Sequence, residues 1–273
     1  KKDTSLLHHL IGSRSLVWNL AKNDIKKKFA GSYFGVVWAF VQPVITVLLY
    51  WFVFEKGLNS KATDLRTGIE IPFVLWLTAG LVPWFYFQEA LNGGTGVLVE
   101  YSYLVKKVVF QIDMLPVVKM ISALFTHLFF VAFTIVLFIC MGYMPDWYAL
   151  QVVYYSFCMI LFATGLVYAT SAVTVFFRDM KEVVGILLQI GMWVTPIMWN
   201  FETMVQIPGW AIAVLKLNPM YYIVSGYRNA LINHSGFWED MGITVYFWVV
   251  TAVILFLGTT VFKRLRPHFA DVL

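Results

Sequence analysis

Residues 34–54 form an unbroken uncharged run whose one strongly polar member is Gln42. A bilayer hydrocarbon core of about 30 Å requires about 20 apolar helical residues, so this run is read as a membrane span. Five more runs follow. Residues 72–90 are interrupted by Pro83 and carry Glu89 near their end, and residues 117–141 hold Lys119 close to their start. Residues 150–177 form the longest run, 183–199 a shorter one containing Pro196, and 243–262 a clean one that stops at Lys263 and Arg264. The composition agrees, with 60% hydrophobic and 13% charged residues, where a soluble domain has about one quarter charged. The predicted fold class is therefore an all-α polytopic membrane protein with six transmembrane helices. An even number of spans places both termini on one side.

Basic residues give the orientation, because cytoplasmic segments hold the excess of Lys and Arg. Fifteen of the twenty fall in the N-terminal segment, at Lys106, Lys107, Lys119, Arg178 and Lys181, and after the last span. The other side holds Lys56, Lys61, Arg66, Lys216 and Arg228. Both termini are predicted to be cytoplasmic. The net charge of +5 is thereby assigned to orientation, and no nucleic-acid partner is expected. Residues 1–29 contain no apolar core of signal-peptide length, so insertion is expected to rely on the first span.

Residues 200–240 contain two apolar pieces, 207–217 and 220–232, separated by Asn218 and Pro219 and interrupted by Lys216 and Arg228. Each is too short or too polar to cross. Backbone can dip into a bilayer where protein or a water-filled cavity shields it, which makes these pieces a re-entrant helical hairpin at the outer face; a folded external loop is the alternative. Before the first span, Leu16, Val17, Leu20, Ala21, Ile25 and Phe29 recur at helical steps, with Lys22, Lys26, Lys27 and Lys28 between them. Such a basic amphipathic helix lies along the cytoplasmic interface, serving as a lipid anchor or as a docking surface for a partner. The domain plan is a single permease domain over 1–273. It comprises an interface helix at 13–31, spans one to five over 34–199, the hairpin at 200–240, span six at 243–262 and a cytoplasmic tail at 263–273.

Catalytic signatures are missing from the sequence: it contains no G-x-x-x-x-G-K-[ST], H-E-x-x-H, G-x-S-x-G or G-x-G-x-x-G. No catalytic residue and no metal site are expected, and ATP would have to be hydrolysed elsewhere. Cys140 and Cys158 sit in uncharged stretches and are read as small core hydrophobes. His127 is read as a hydrogen-bonded packing residue. Glu89 and Lys119, at the cytoplasmic ends of neighbouring spans, are expected to form an ion pair. In the first span Phe34, Trp38, Gln42, Ile45 and Leu49 share a helical face, and in the fifth Gln189, Trp193 and Pro196 nearly do. Rings beside amides suit either interhelical packing or sugars, whose C–H faces rest on aromatic rings.

Several stretches resemble the membrane subunits of ABC transporters that export polysaccharides, the class of O-antigen and wall teichoic acid exporters. They are LAKNDIKKKFAGSYFGVVWAFVQPV (20–44), YLVKKVVFQIDMLP (103–116), FFRDMKEVVG (176–185), the TPI at 195–197, LNPMYYIVSGYRNALI (217–232) and FKRLRPHFADVL (262–273). Their order and spacing agree along nearly the whole chain. The resemblance implies a homodimer bound to two ABC ATPase subunits in the bacterial cytoplasmic (inner) membrane, conducting a lipid-linked polysaccharide. It leaves ATP and Mg to the partner and no cofactor to this chain. It also implies that Glu100, Tyr103, Lys106, Lys107 and Asp113 lie in a loop coupled to the ATPase, with Arg178 and Asp179 in a second loop. Phe34, Trp38, Gln42, Trp193 and Trp199 would line the substrate channel, and Tyr221, Tyr222 and Arg228 would lie at the exit hairpin. Competing classes are a permease for drugs or small lipids, an ATP-independent channel or secondary carrier, and a glycan-modifying membrane enzyme.

Overall fold

The computed structural model describes residues 14–28, 30–106, 110–200 and 208–273. Each apolar run becomes a helix. α1 is Arg14–Lys28; α2, Trp38–Trp51, is entered through a 3-10 turn at Gly35–Val37 and prolonged by a π turn at Phe52–Gly57. A two-residue hairpin follows, β1 (Ala62–Thr63) antiparallel to β2 (Glu70–Ile71), with Ala62 opposite Ile71. Then come α3 (Phe73–Thr95), the short α4 (Val97–Glu100) and α5 (Ser102–Val105), and α6 (Met114–Cys140). A 3-10 turn at Trp147–Leu150 leads into α7 (Gln151–Phe176), and α8 is Met180–Val194. α9 (Gly209–Lys216) and α10 (Pro219–Arg228), the latter continued by a π turn at Asn229–Asn233, precede α11 (Met241–Leu265) and the terminal α12 (Phe269–Val272).

Among the described residues, four helices are long and apolar enough to cross a membrane: Gly35–Gly57, Met114–Cys140, Trp147–Phe176 and Met241–Val272. α3 has 23 residues, but its Trp, Tyr, Gln88 and Glu89 side chains make it less apolar. α8 has only 15, about 22 Å at 1.5 Å per residue. It stops at Val194 because Thr195 precedes a proline and is held extended, at φ −78° and ψ 126°.

α3 is the centre of the bundle, with eighteen of its 23 residues buried. It packs against α6, α7, α8 and α10. α7 and α11 make the closest crossing: a Cβ on Gly258 would strike the carbonyl oxygen of Gly165, and one on Gly165 would meet the Ile254 backbone at 2.8 Å. Small residues let membrane helices approach backbone to backbone in this way. Cys158 is buried in this core, whereas Cys140, expected inside, is exposed as the last residue of α6.

The two ends of the bundle differ. At one, which we call the terminal end, Val97, Leu98, Tyr101 and Val105 pack with Tyr168, Phe262 and Phe269, and α1 lies on α6 through Val17, Ala21, Met114 and Val118. The opposite, hairpin end joins the strands to the turn after α10, through Leu65 N–H donating to Asn233 Oδ1 at 3.1 Å. His234 and Asp146 meet there at 2.8 Å, and the Phe237 N–H donates to Gln151 Oε1 at 2.9 Å.

Candidate functional site

The face that α1 turns to the bundle contains Val17, Ala21, Asp24 and Lys28, at three-to-four-residue steps. Val17, Ala21 and Asp24 are buried, and Leu16, expected on the apolar face, is 43% exposed. Phe29 lies outside the described residues. Lys119 of α6 brings its Nζ to 2.6 Å from Asp24 Oδ1 and 2.8 Å from Glu100 Oε2. The Tyr101 hydroxyl donates to the same Asp24 oxygen at 2.8 Å. Burial pushes the Tyr101 phenol up from its ordinary pKa, and the Asp24 hydrogen bond and the charges of Asp24 and Glu100 add to this, so it remains a donor. The Lys119 and Asp24 side chains are 13% and 7% exposed, Glu100 47%.

The expected Glu89–Lys119 pair does not form. α1 lies against both helices and offers one charge to each, so Glu89 pairs with Lys28 at 2.6 Å and Lys119 with Asp24. Asp24 is the residue that the sequence reading missed. Its signal was available: a lone carboxylate among lysines, in step with Val17 and Ala21 on the face that faces protein.

Behind α1, and bounded by α2, α3 and α6, lies a cavity of about 950 Å³. Trp38, Tyr50 and Phe85 supply rings, and Gln42, Gln88 and Asn92 supply amides. The Asp24–Lys119 and Lys28–Glu89 pairs stand at its charged end. The volume is at the upper end of ligand pockets, about 300–1,000 Å³, and the mixture of flat apolar faces with amide donors and acceptors suits a polyhydroxylated ligand.

The residues predicted to couple to an ATPase separate into two groups. Glu100, Tyr103 and Lys106 are exposed on and just after α4 and α5, and Arg178 and Asp179 are exposed in the turn before α8. These two turns are neighbours, since the Lys181 side chain lies across Gly96. Lys107 lies outside the described residues. Asp113 is buried: its carboxylate takes the Arg266 guanidinium at 2.7 Å and its carbonyl the Tyr168 hydroxyl at 2.8 Å. It ties α6 to α7 and the C-terminal turn.

The predicted channel residues are not gathered on one surface. Trp38 and Gln42 line the cavity, while Phe34, 59% exposed, stacks edge-on against Trp38 at 5.8 Å. Trp193 is exposed on the outward side of α8. The Trp199 indole donates to the Trp193 carbonyl at 2.8 Å and borders a separate pocket of about 180 Å³ at the hairpin end, with Tyr221 and Arg228.

Of the hairpin residues, Tyr222 is buried and shares hydroxyl hydrogen bonds with Tyr154 and Thr244, both at 3.1 Å. Arg228 is buried as well, its guanidinium carbon 3.3 Å above the centre of the Trp76 ring. It donates to the Pro196 and Ile197 carbonyls at 2.7 Å each. Those carbonyls follow the break at Thr195, past the end of α8, where a buried acceptor needs a partner. Gly80 makes room, because a Cβ there would sit 2.7 Å from Arg228 Nη2. His127 is joined to Ser156 at 3.2 Å and Tyr227 at 3.1 Å, linking α6, α7 and α10. Among the described residues, no group of three His, Cys, Asp or Glu side chains could hold a metal ion.

A bundle of apolar helices, four of which among the described residues are long and apolar enough to cross a bilayer, with an amphipathic helix ion-paired across one end and a polar aromatic cavity behind it, marks an integral membrane protein. Residues 15–232 match the ABC-2 type transporter family, and the chain belongs to it. It is similar along its length to the O-antigen export system permease protein RfbA of Myxococcus xanthus, with 25% identity over 266 residues covering 97% of this chain and 98% of that one. Two proteins of the same name from Klebsiella pneumoniae are 20% and 21% identical over 256 and 258 residues, covering 93% of each chain. Membership in this family makes an ABC ATPase its working partner.

Proposed function

We propose that this chain is the transmembrane subunit of an ABC exporter for a lipid-linked polysaccharide, such as O-antigen or a related cell-surface glycan. The observation that carries the reading is the end-to-end similarity to O-antigen export permeases, over 93–97% of the chain. The aromatic and amide lining of the large cavity supports it.

In this reading α3 and α8 complete a set of six spans, α9 and α10 form a hairpin that re-enters from the outer face, and both termini are cytoplasmic in the bacterial inner membrane. The whole chain acts as one permease domain. Two copies pair and bind two ATPase subunits, which hold ATP and Mg; this chain hydrolyses nothing itself. Glu100, Tyr103, Lys106 and Lys107, with Arg178 and Asp179 in the neighbouring turn, face the ATPase. The glycan moves along the cavity that Trp38 and Gln42 line and past the exposed rings of Phe34 and Trp193, stacking weakly enough to advance without stalling. Trp199, Tyr221, Tyr222 and Arg228 shape the exit.

The test is reconstitution of the complex in vesicles with the lipid-linked glycan on the ATPase side. The expected result is ATP-dependent appearance of glycan on the far side and ATP turnover stimulated by that glycan. Transport of a small drug or phospholipid with no response to glycan would overturn the reading. Charge reversal at Lys106 is expected to lower export while leaving insertion unchanged.

A further inference from the structure

The large cavity has two unlike walls. One is α1 against α6, and the bonds that hold it are buried or nearly so: Lys119–Asp24 at 2.6 Å, Tyr101–Asp24 at 2.8 Å, and the Ser122 hydroxyl donating to the Ala21 carbonyl at 3.0 Å. Separating a buried ion pair leaves a charge without its counterion in a poorly solvated place. The opposite wall is α2, in which Val47 is the single buried residue. Its links to α6 are apolar, the Phe40 and Phe129 rings lying 4.1 Å apart, and apolar contacts carry no directional demand. Lys28–Glu89, which ties α1 to α3, is 50% and 26% exposed and so costs little to break and remake.

We propose that Asp24 and Lys119 are positioning residues that fix α1 to α6 as one rigid unit, so that the cavity opens and closes by movement of α2 while the amphipathic helix stays docked. The asymmetry within the ion cluster fits this assignment. Lys119 serves one buried carboxylate, on α1, and one exposed carboxylate, Glu100 of α4. Motion of the exposed loop can release Glu100 into water without freeing Asp24. Tyr101, buried beside Glu100, carries the loop's displacement into the same unit. The rigid unit therefore joins the predicted ATPase-facing loop to the fixed wall of the cavity, and α2 is left as the part that yields.

The inference builds on the transport reading, and disulfide cross-linking tests it in the complex with its ATPase, in a background lacking Cys140 and Cys158. Oxidation of the Ala21→Cys, Ser122→Cys pair is expected to leave ATP turnover and export within about twofold of the reduced protein. Oxidation of Phe40→Cys, Phe129→Cys is expected to lower both by tenfold or more, reversibly with reductant. The opposite pattern, with the α1–α6 bridge blocking and the α2–α6 bridge harmless, overturns the inference. A second variant guards against simple misfolding. Lys119→Met should retain ATP turnover and lose export about tenfold, and the Ala21–Ser122 disulfide should restore most of that loss. No recovery in an assembled complex also overturns the inference. Absence of glycan export by the unmodified complex sinks the transport reading alone, since the response of ATP turnover to the two bridges still decides which wall moves.

Discussion

α3 and α2 are neighbouring helices and α2 is the more apolar, yet α3 buries eighteen residues and α2 a single one. In water that contrast would mark α2 as misfolded. In lipid it carries a different meaning, because exposure of Ile45, Leu48, Leu49 and Phe52 costs nothing against acyl chains, and helix association rests on packing and polar bonds. What separates the two helices is how much contact would be lost on moving them. α3 is held by α6, α7, α8 and α10 around it and by Trp76 under Arg228, whereas α2 meets α3 and α6 along one edge.

The comparison breaks first at the ion cluster. Lys119→Met leaves Asp24 buried without its cation, and the docking of α1 is expected to weaken by about 3–5 kcal/mol, read as faster hydrogen exchange over α1 with α3 still protected. Truncation within α3 comes next: Leu77→Ala should lower unfolding stability in mixed micelles by about 2–4 kcal/mol, whereas Leu49→Ala on α2 should change it by under about 0.5 kcal/mol. Equal effects would erase the distinction between the helices.

A smaller effect is expected in the hairpin that joins them. Burial opposes the Asp64 charge, but hydrogen bonds from Thr67 and the Arg66 and Thr67 N–H groups, with His234 nearby, hold its carboxyl below the usual carboxylate range. Because the folded pKa lies below the unfolded one, this stabilisation is complete above about pH 4 and fades as pH falls through the folded value. Exchange protection of residues 62–71 should hold steady from neutral pH down to about 5 and drop below about 4, and Asp64→Asn should abolish that acid limb. The smallest effect belongs to Lys61–Glu70, a pair with both side chains more than 60% exposed. Lys61→Ala should shift stability by under about 0.5 kcal/mol.

The helices were legible because long uncharged runs admit few other structures. The six predicted runs match α2, α3, α6, α7, α8 and α11 to within a few residues, apart from the early stop of α8 before Pro196. Which way each helix faces was far less legible. A soluble helix marks its buried side by apolar spacing, but here lipid-facing and protein-facing sides are both apolar, so the Phe34–Leu49 stripe told nothing about direction. Charges were misread for a related reason. Glu89 and Lys119 looked like mutual partners until α1 supplied Asp24 and Lys28, and the partners of Arg228 and Asp113, backbone carbonyls and Arg266, were not readable from the sequence. Pairing across elements far apart in sequence depends on the assembled bundle.

The crossing of Gly165 and Gly258 brings α7 and α11 together without a spacer. α11 is about 37 Å long at 1.5 Å per residue, and it leads directly into the terminal turn whose Arg266 grips Asp113. A single methyl wedged at the crossing would splay α7 and α11 like scissor blades, and the tip of the lever would swing farther than the point where it was forced. Lesions at this glycine pair should therefore be felt at the Arg266–Asp113 clasp, about two turns away, as well as at the crossing itself.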